Sequence, residues 1–235
     1  MSLVVNGVRE GSSGGGGDVT ADAIVDAVAD PADAAVVNAA LGNGPVANDL
    51  SAATTTNGTG TASKVGATAV LSMLAAATGT YQSSGFTGPR VLVPNLAKIP
   101  GVVRVYARLA ATNGDNNTWA YFGIVAEDPG QNRFRGWRVR CDNGQAGVRV
   151  DASTTTTPGT IAVDGTGWLL YQRDEDGELW AYGNGTTTDP PSTWSPGAVA
   201  TNTTRPDNFL ALALVKTDTA VAGGCTWADV HVENL

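Results

Sequence analysis

The stretch Phe209-Leu210-Ala211-Leu212-Ala213-Leu214-Val215 is apolar at every position. Side chains alternate between the two faces of a β-strand, so a run like this one needs cover on both faces. We therefore expect a central strand that is buried on both sides. The rest of the sheet, and a second layer that covers it, should be encoded by the segments around this run.

Shorter runs with alternating apolar and polar residues surround it, separated by turn residues such as Asn143-Gly144. They are Val102–Leu109, Trp119–Val125, Arg135–Cys141, Ala146–Val150, Trp168–Arg173, Glu178–Tyr182 and Thr226–Val232. In the first of these, Val103, Val105, Ala107 and Leu109 alternate with Arg104, Tyr106 and Arg108. Several short strands of this kind predict a mostly β protein with an antiparallel β-sandwich over 81–235.

Aromatic residues are absent from residues 1–80 and begin at Tyr81. Aromatic side chains supply much of the buried area of a core, so this half is not expected to build a deep core alone. We divide it into a docking peptide with a Gly-rich linker at 1–17 and a short helical stalk at 18–80. The apolar residues of the docking peptide are Leu3, Val4, Val5 and Val8; a terminus without fixed structure is the alternative.

The stalk contains three candidate helices, over 18–29, 30–42 and 62–77. Asp30-Pro31 is a typical helix start, and Gly42 is a typical helix end. Helices this short are marginal alone in water, so we expect them to associate between chains. The apolar positions assigned to trimerisation are Ile24, Val28, Val36, Leu41 and Leu74.

Composition and charge exclude several classes of function. A formal net charge of -8 argues against binding to nucleic acid. No run of about 18 apolar residues predicts a membrane span, and the first residues do not resemble a secretory signal. One histidine, His231, and two distant cysteines, Cys141 and Cys225, argue against a zinc site. We expect both cysteines to be buried thiols, with a disulfide as the alternative.

Two resemblances suggest a class of protein. Residues 39–47 (AALGNGPVA) resemble a segment that recurs in the shafts of bacteriophage tail and head fibres, although Asn43-Gly44 departs from its usual form. That resemblance implies a homotrimeric shaft. The runs at 121–125, 137–140, 168–173 and 176–182, with the closing Thr226–Val230, resemble the concanavalin A-like and laminin-G-like jelly rolls. This second resemblance implies the fold rather than a ligand.

Aromatic and basic residues of the sandwich are the candidates for binding a glycan, since sugars stack on exposed rings. We assign this role to Trp119, Trp180, Tyr182, Trp194, Arg138 and Arg140. Ordinary packing of the rings and a solvated arginine face are the alternatives. The turn residues Asp174, Asp176 and Glu178 form a weak candidate calcium site, with a plain solvated turn as its alternative; no other cofactor is expected.

Catalysis is not expected. His231 lies in the last strand beside two valines, and no predicted strand carries alternating acids of the kind that glycosidases use.

The sequence predicts a structural phage virion protein, a fibre, spike or head decoration. It would bind capsid or tail proteins through its N-terminus and present the sandwich to host-surface carbohydrate, after assembly in the host cytoplasm and release by lysis. A capsid cement without glycan binding and a glycan-active enzyme are the alternatives.

Overall fold

The computed structural model describes residues 50, 52–82, 85–94, 103–125, 134–150, 153–173, 177–187, 189–201 and 209–234. These residues form strands and turns, and they contain no helix. In chain order the strands are β1 (Thr54–Thr56), β2 (Thr61–Val65), β3 (Thr68–Met73), β4 (Tyr81–Gln82), β5 (Gly85–Phe86), β6 (Arg90–Pro94), β7 (Val103–Asn113), β8 (Thr118–Val125), β9 (Phe134–Arg140), β10 (Gln145–Val150), β11 (Ser153–Thr160), β12 (Gly167–Arg173), β13 (Gly177–Asn184), β14 (Ser195–Thr201), β15 (Phe209–Lys216) and β16 (Gly223–Asn234).

The strands form two seven-stranded antiparallel sheets, and β4 and β5 form a separate hairpin. The first sheet has the order β1-β6-β15-β8-β9-β10-β11, and the second has the order β14-β13-β12-β7-β16-β3-β2. One hydrophobic core joins side chains from both sheets, so the sheets pack face to face. The predicted antiparallel β-sandwich is therefore confirmed.

Strand β15 is covered on both faces, as its sequence predicts. Leu210, Leu212 and Leu214 are buried in the core between the sheets. The alternate residues, Ala211 and Ala213 among them, belong to a second apolar cluster on the outer face of the first sheet. That cluster includes Tyr81 and Phe86 of the β4–β5 hairpin, so the hairpin is the outer cover of β15.

Polar contacts cross the interior and tie the two sheets together. The Trp137 indole N–H on β9 donates to the Leu170 carbonyl on β12 at 2.8 Å. The Glu178 carboxylate on β13 accepts hydrogen bonds from Arg135 on β9 and from the Tyr171 hydroxyl on β12. Since the Glu178 side chain is fully buried, this ion pair is shielded from water. Both contacts fix the position of one sheet relative to the other.

The predicted strands around β15 are confirmed, with bounds that differ by a few residues. On β7, Val105, Ala107 and Leu109 are buried in the core. The intervening Arg104, Tyr106 and Arg108 are partly exposed on the outer face of the second sheet. The turn predicted at Asn143-Gly144 is also present, since Gly144 adopts a positive φ of 72° between β9 and β10.

The predicted helix over 62–77 is wrong, because this segment forms the hairpin β2–β3. Burial follows a period of two, with Ala69, Leu71 and Met73 turned inward. Gly66, with φ of 55°, lies in the two-residue turn between Val65 and Thr68. Strand β3 also pairs with β16, and this pairing outweighs the helix preference of an alanine-rich sequence.

The sandwich begins earlier than residue 81, where the sequence placed the boundary. Strand β1 pairs with β6 in the first sheet, and β2 and β3 extend the second sheet. Leu74, assigned to trimerisation, follows β3 in a turn rather than on a helix, with 79% of its surface exposed. The docking peptide and the other trimerisation residues, Ile24, Val28, Val36 and Leu41, lie outside the described residues.

Cys141 and Cys225 are both buried and free, so the predicted pair of buried thiols is confirmed over the disulfide. Burial raises the pKa of the Cys141 thiol to about 12 and raises that of Cys225 well above its ordinary value.

His231 lies on a sheet face as expected, stacked on Tyr106 with ring centroids 4.5 Å apart. Among the described residues no helix is long and apolar enough to cross a membrane.

Candidate functional site

The candidate site lies on the outer face of the first sheet, where β8, β9 and β10 run side by side. Cross-strand register places Trp119 opposite Arg140 and Tyr121 opposite Arg138. On the other side of β9, Gly147 of β10 lies opposite Arg138. Because alternate residues share a face, aromatic and basic side chains from two strands come together here.

The β4–β5 hairpin borders this site on one side. Tyr81 and Phe86 pack against each other at 4.5 Å, and Phe86 lies 5.3 Å from Tyr121 and 5.5 Å from Phe134. The Arg149 guanidinium on β10 stacks over the Tyr81 ring at 5.0 Å from its centroid. The hairpin therefore covers one part of the outer face and leaves the part around Trp119 open.

Two adjoining recesses occupy the open part. The larger has a volume of about 290 Å³ and is lined by Thr80, Tyr81, Trp119, Tyr121, Arg138, Arg149, Val215 and Thr217. The smaller has a volume of about 40 Å³ and is lined by Trp119, Arg138, Gln145 and Gly147. Trp119 and Arg138 line both, so these two side chains form the wall that the recesses share.

The arginines of the site differ in their partners. The Arg138 guanidinium lies 4.4 Å from the centre of the Trp119 ring, a cation–π distance. The Arg140 guanidinium lies 5.9 Å from the same ring and forms an ion pair with Asp142 at 2.6 Å. Within the described part of the chain no carboxylate pairs with Arg138, and its Nε is buried without a hydrogen-bond partner.

The structure brings together some of the predicted glycan-binding residues, namely Trp119, Arg138 and Arg140. It excludes Trp180, which is fully buried between the sheets with its ring 5.4 Å from Tyr171. The sequence prediction for Trp180 is wrong because this residue lies on the inner face of β13. Tyr182 shares that face and packs on Trp137 at 5.9 Å.

Trp194 belongs to a different surface. Its ring lies 6.4 Å from Tyr106, on the outer face of the second sheet. Several lining residues of the site were not predicted from the sequence, namely Thr80, Tyr81, Tyr121, Gln145, Gly147, Arg149, Val215 and Thr217. Arg149 lies within a basic stretch of the sequence, and this clustering of basic residues could have indicated it as a site residue. Nothing in the sequence indicated Tyr81, because a strand of two residues has no detectable period.

The predicted calcium site is not supported by its one described member. Glu178 is turned into the interior, where both carboxylate oxygens are engaged by Arg135 and Tyr171. Burial and the neighbouring Glu178 raise the pKa of the Tyr171 hydroxyl well above its ordinary value, so it remains a donor. Asp174 and Asp176 lie outside the described residues. The described side chains hold no group of three or more His, Cys, Asp or Glu suited to a metal.

No family model and no curated protein sequence matches this chain. Solved structures do resemble it. The alginate lyase AlgAT5 of polysaccharide lyase family 7 has a TM-score of 0.50 at 9% identity, over 71% of this chain and 78% of the lyase. At that identity the similarity concerns the fold alone, and it supports a jelly-roll-like sandwich.

Two further structures score lower. The exoplasmic/lumenal domain of VIP36, in its form bound to Ca²⁺ and Man3GlcNAc, has a TM-score of 0.48 at 10% identity, over 81% of this chain and 88% of that domain. A functionally unknown protein from Saccharomyces cerevisiae has a TM-score of 0.42 at 14% identity, over 80% of this chain and 98% of the yeast protein.

Proposed function

We propose that this protein binds carbohydrate on the outer face of its first sheet and does not cleave it. The observation that carries the proposal is the pair of recesses built around Trp119, with Tyr121 beside it and Arg138 over its ring. A volume of about 290 Å³ is at the lower end of the range for small-molecule sites, which suits one or two sugar rings.

The residue types fit a saccharide. The C–H face of a sugar stacks on an aromatic ring, and Trp119 offers the largest partly exposed ring in the site. Thr80, Thr217 and Gln145 add hydroxyl and amide groups to the lining of the recesses, and these groups can exchange hydrogen bonds with sugar hydroxyls. The site therefore combines an apolar platform with a few polar groups, as saccharide recognition requires.

Binding without hydrolysis is proposed from the chemistry of the lining. Cleavage of a glycosidic bond by the common mechanism needs two carboxyl groups on either side of the bond. The described residues that line the two recesses include no aspartate or glutamate. The nearby Asp142 carboxylate is held by Arg140 through two hydrogen bonds.

We propose further that the sandwich is carried by a bacteriophage virion as part of a fibre, spike or head decoration. The support is the fibre-like segment at 39–47 and the absence of aromatic residues from the whole of residues 1–49. In this proposal the N-terminal part associates as a homotrimer and binds capsid or tail proteins. Analytical ultracentrifugation of the full chain tests it, since a trimer is expected at micromolar concentration and a monomer would contradict it.

An array of neutral and acidic bacterial oligosaccharides, probed with the full chain, tests the carbohydrate proposal. We expect binding to a subset of the glycans and its loss in Trp119→Ala. The matched control is Trp194→Ala, which removes a partly exposed tryptophan from the other sheet and should leave binding unchanged. Absence of binding to every glycan would contradict the proposal and favour a capsid cement, and equal binding by both variants would contradict the assignment of the site to Trp119.

A further inference from the structure

The smaller recess beside Trp119 is lined by hydrogen-bond donors. Arg138 contributes a guanidinium, which can donate but cannot accept. Gln145 accepts a hydrogen bond from Arg140 Nη1 on its Oε1 at 3.2 Å, which leaves its amide NH₂ as the donor that is still available. The remaining lining residues, Trp119 and Gly147, carry no side-chain acceptor. The side chains of this recess therefore favour a ligand group that accepts hydrogen bonds.

Charge indicates that the acceptor is an anion. Other arginines of the sandwich have carboxylate partners: Arg135 pairs with Glu178, Arg108 with Asp229 and Arg140 with Asp142. Arg138 is partly buried against Trp119 and has no such partner among the described residues. Partial burial of a cation without a counter-charge is unfavourable, and an incoming anion would compensate for it.

The volumes of the two recesses indicate which part of a ligand each recess can hold. The smaller recess, about 40 Å³, has room for a few water molecules at about 10–15 Å³ each, which fits a carboxylate and not a sugar ring. The larger recess, about 290 Å³, has room for the ring itself. Because Trp119 and Arg138 line both recesses, one sugar can stack on the tryptophan and extend its acidic group toward the arginine.

We infer that the ligand is an acidic saccharide whose carboxylate binds in the recess formed by Arg138, Gln145, Gly147 and Trp119, an inference that rests on the proposed carbohydrate binding. A carboxylate matches the planar guanidinium, which can donate two parallel hydrogen bonds to it. Arg140 and Arg149 on the same face add positive potential without occupying the recess. Neutral saccharides would bind to the same tryptophan more weakly.

Isothermal titration of the full chain with matched ligands tests the inference. The probes are oligogalacturonate, oligoalginate and oligosialic acid, each compared with its methyl ester. For at least one pair the free acid should bind about tenfold or more tightly, since one charge-assisted hydrogen-bonded contact is worth that much. Arg138→Gln should remove this preference, so that the free acid and its methyl ester bind to the variant with similar affinity.

Arg104→Gln is the matched control because it removes the same charge from the outer face of the other sheet. It should retain the preference for the acid, and a thermal melt of each variant verifies folding. Equal affinity for acid and ester would overturn the carboxylate inference and leave the carbohydrate proposal standing. Binding of a dextran sulfate oligosaccharide, which has sulfate groups and no carboxylate, in place of every carboxylate probe would overturn it in favour of a sulfate. Binding to no saccharide would overturn both.

Discussion

The outer faces of the two sheets carry similar residues in different arrangements. On the second sheet, Arg104 donates to Gln172 Oε1 at 2.9 Å and Arg108 to Asp229 Oδ2 at 2.7 Å. On the first sheet, Arg138 lies over Trp119 without a carboxylate partner among the described residues. Both faces therefore alternate arginines with rings, and on the first face an arginine that has no carboxylate partner among the described residues lines a recess.

This difference shows that alternating arginines and aromatics do not by themselves define a binding site. The pattern Arg104-Tyr106-Arg108 is as regular as Trp137-Arg138-Val139-Arg140, and both appear in the sequence as half-exposed strands. What separates them is the supply of partners from distant segments, such as Asp229 on β16 and the Gly165 carbonyl. A satisfied arginine stabilises the fold, and an unsatisfied one is available to a ligand.

The largest effect on stability is expected from the buried contact between Glu178 and Arg135, which joins the two sheets. Glu178→Ala would remove the carboxylate that forms an ion pair with the buried Arg135 guanidinium, and loss of one member of a buried pair typically costs about 3–5 kcal/mol. Urea denaturation followed by tryptophan fluorescence measures the change. Glu178→Gln is the matched control and should cost less, because the amide oxygen still accepts from one neighbour. A loss below about 1 kcal/mol in Glu178→Ala would show that the contact does not hold the sheets together.

The two faces can be compared directly by removing one arginine from each. Arg108→Gln should lower the free energy of unfolding by about 2 kcal/mol, because Arg108 donates both to Asp229 and to the Gly165 carbonyl and is largely buried. Arg138→Gln should cost less than about 1 kcal/mol, the value of one cation–π contact. Equal losses of unfolding free energy in the two variants would mean that Arg108 and Arg138 contribute equally to stability, which contradicts the difference between the two faces.

A smaller effect on stability is expected from the buried thiol of Cys141, which lies in the interior and on neither outer face. Since the folded-state pKa of Cys141 is about 12, above its ordinary value of 9.0, the folded protein holds this proton more tightly than the unfolded chain. Its contribution to stability is complete below pH 9 and is lost as the pH rises toward 12. Between pH 8 and 9.5 the free energy of unfolding should fall by about 1 kcal/mol through this thiol. The fall should be smaller in Cys141→Ala, and an unchanged fall would contradict this assignment.

The fold could be predicted from the sequence where a strict two-residue period was present. Val103–Leu109 is such a case, because one of its faces is uniformly apolar, and Phe209–Val215 was predictable for a different reason, since a run that is apolar at every position indicates a strand buried on both faces. The hairpin β2–β3 was mistaken for a helix because small apolar residues at Val65, Ala69 and Met73 fit a helical stripe as well as a strand. Its pairing with β16, about 150 positions away, carries no local signal.

The site could be predicted only in part. Trp119, Arg138 and Arg140 were recognisable as candidates, but their contact depends on the register between β8 and β9. Trp180 was placed on the wrong face because its neighbours Leu179 and Ala181 are also apolar, so alternation alone did not reveal which side faces the core. Tyr81 reaches the site through a hairpin that contacts Tyr121 across about 40 residues of chain.

The most direct test of the central claim follows the indole N–H signals of the six tryptophans by two-dimensional ¹H–¹⁵N NMR during titration with an acidic oligosaccharide. Binding on the outer face of the first sheet should shift the Trp119 signal strongly. The signals of Trp137, Trp180 and Trp227, which are fully buried, and that of Trp194 on the other face should change little. A dominant shift of the Trp194 signal, with Trp119 unchanged, would place the binding face on the second sheet and contradict this account.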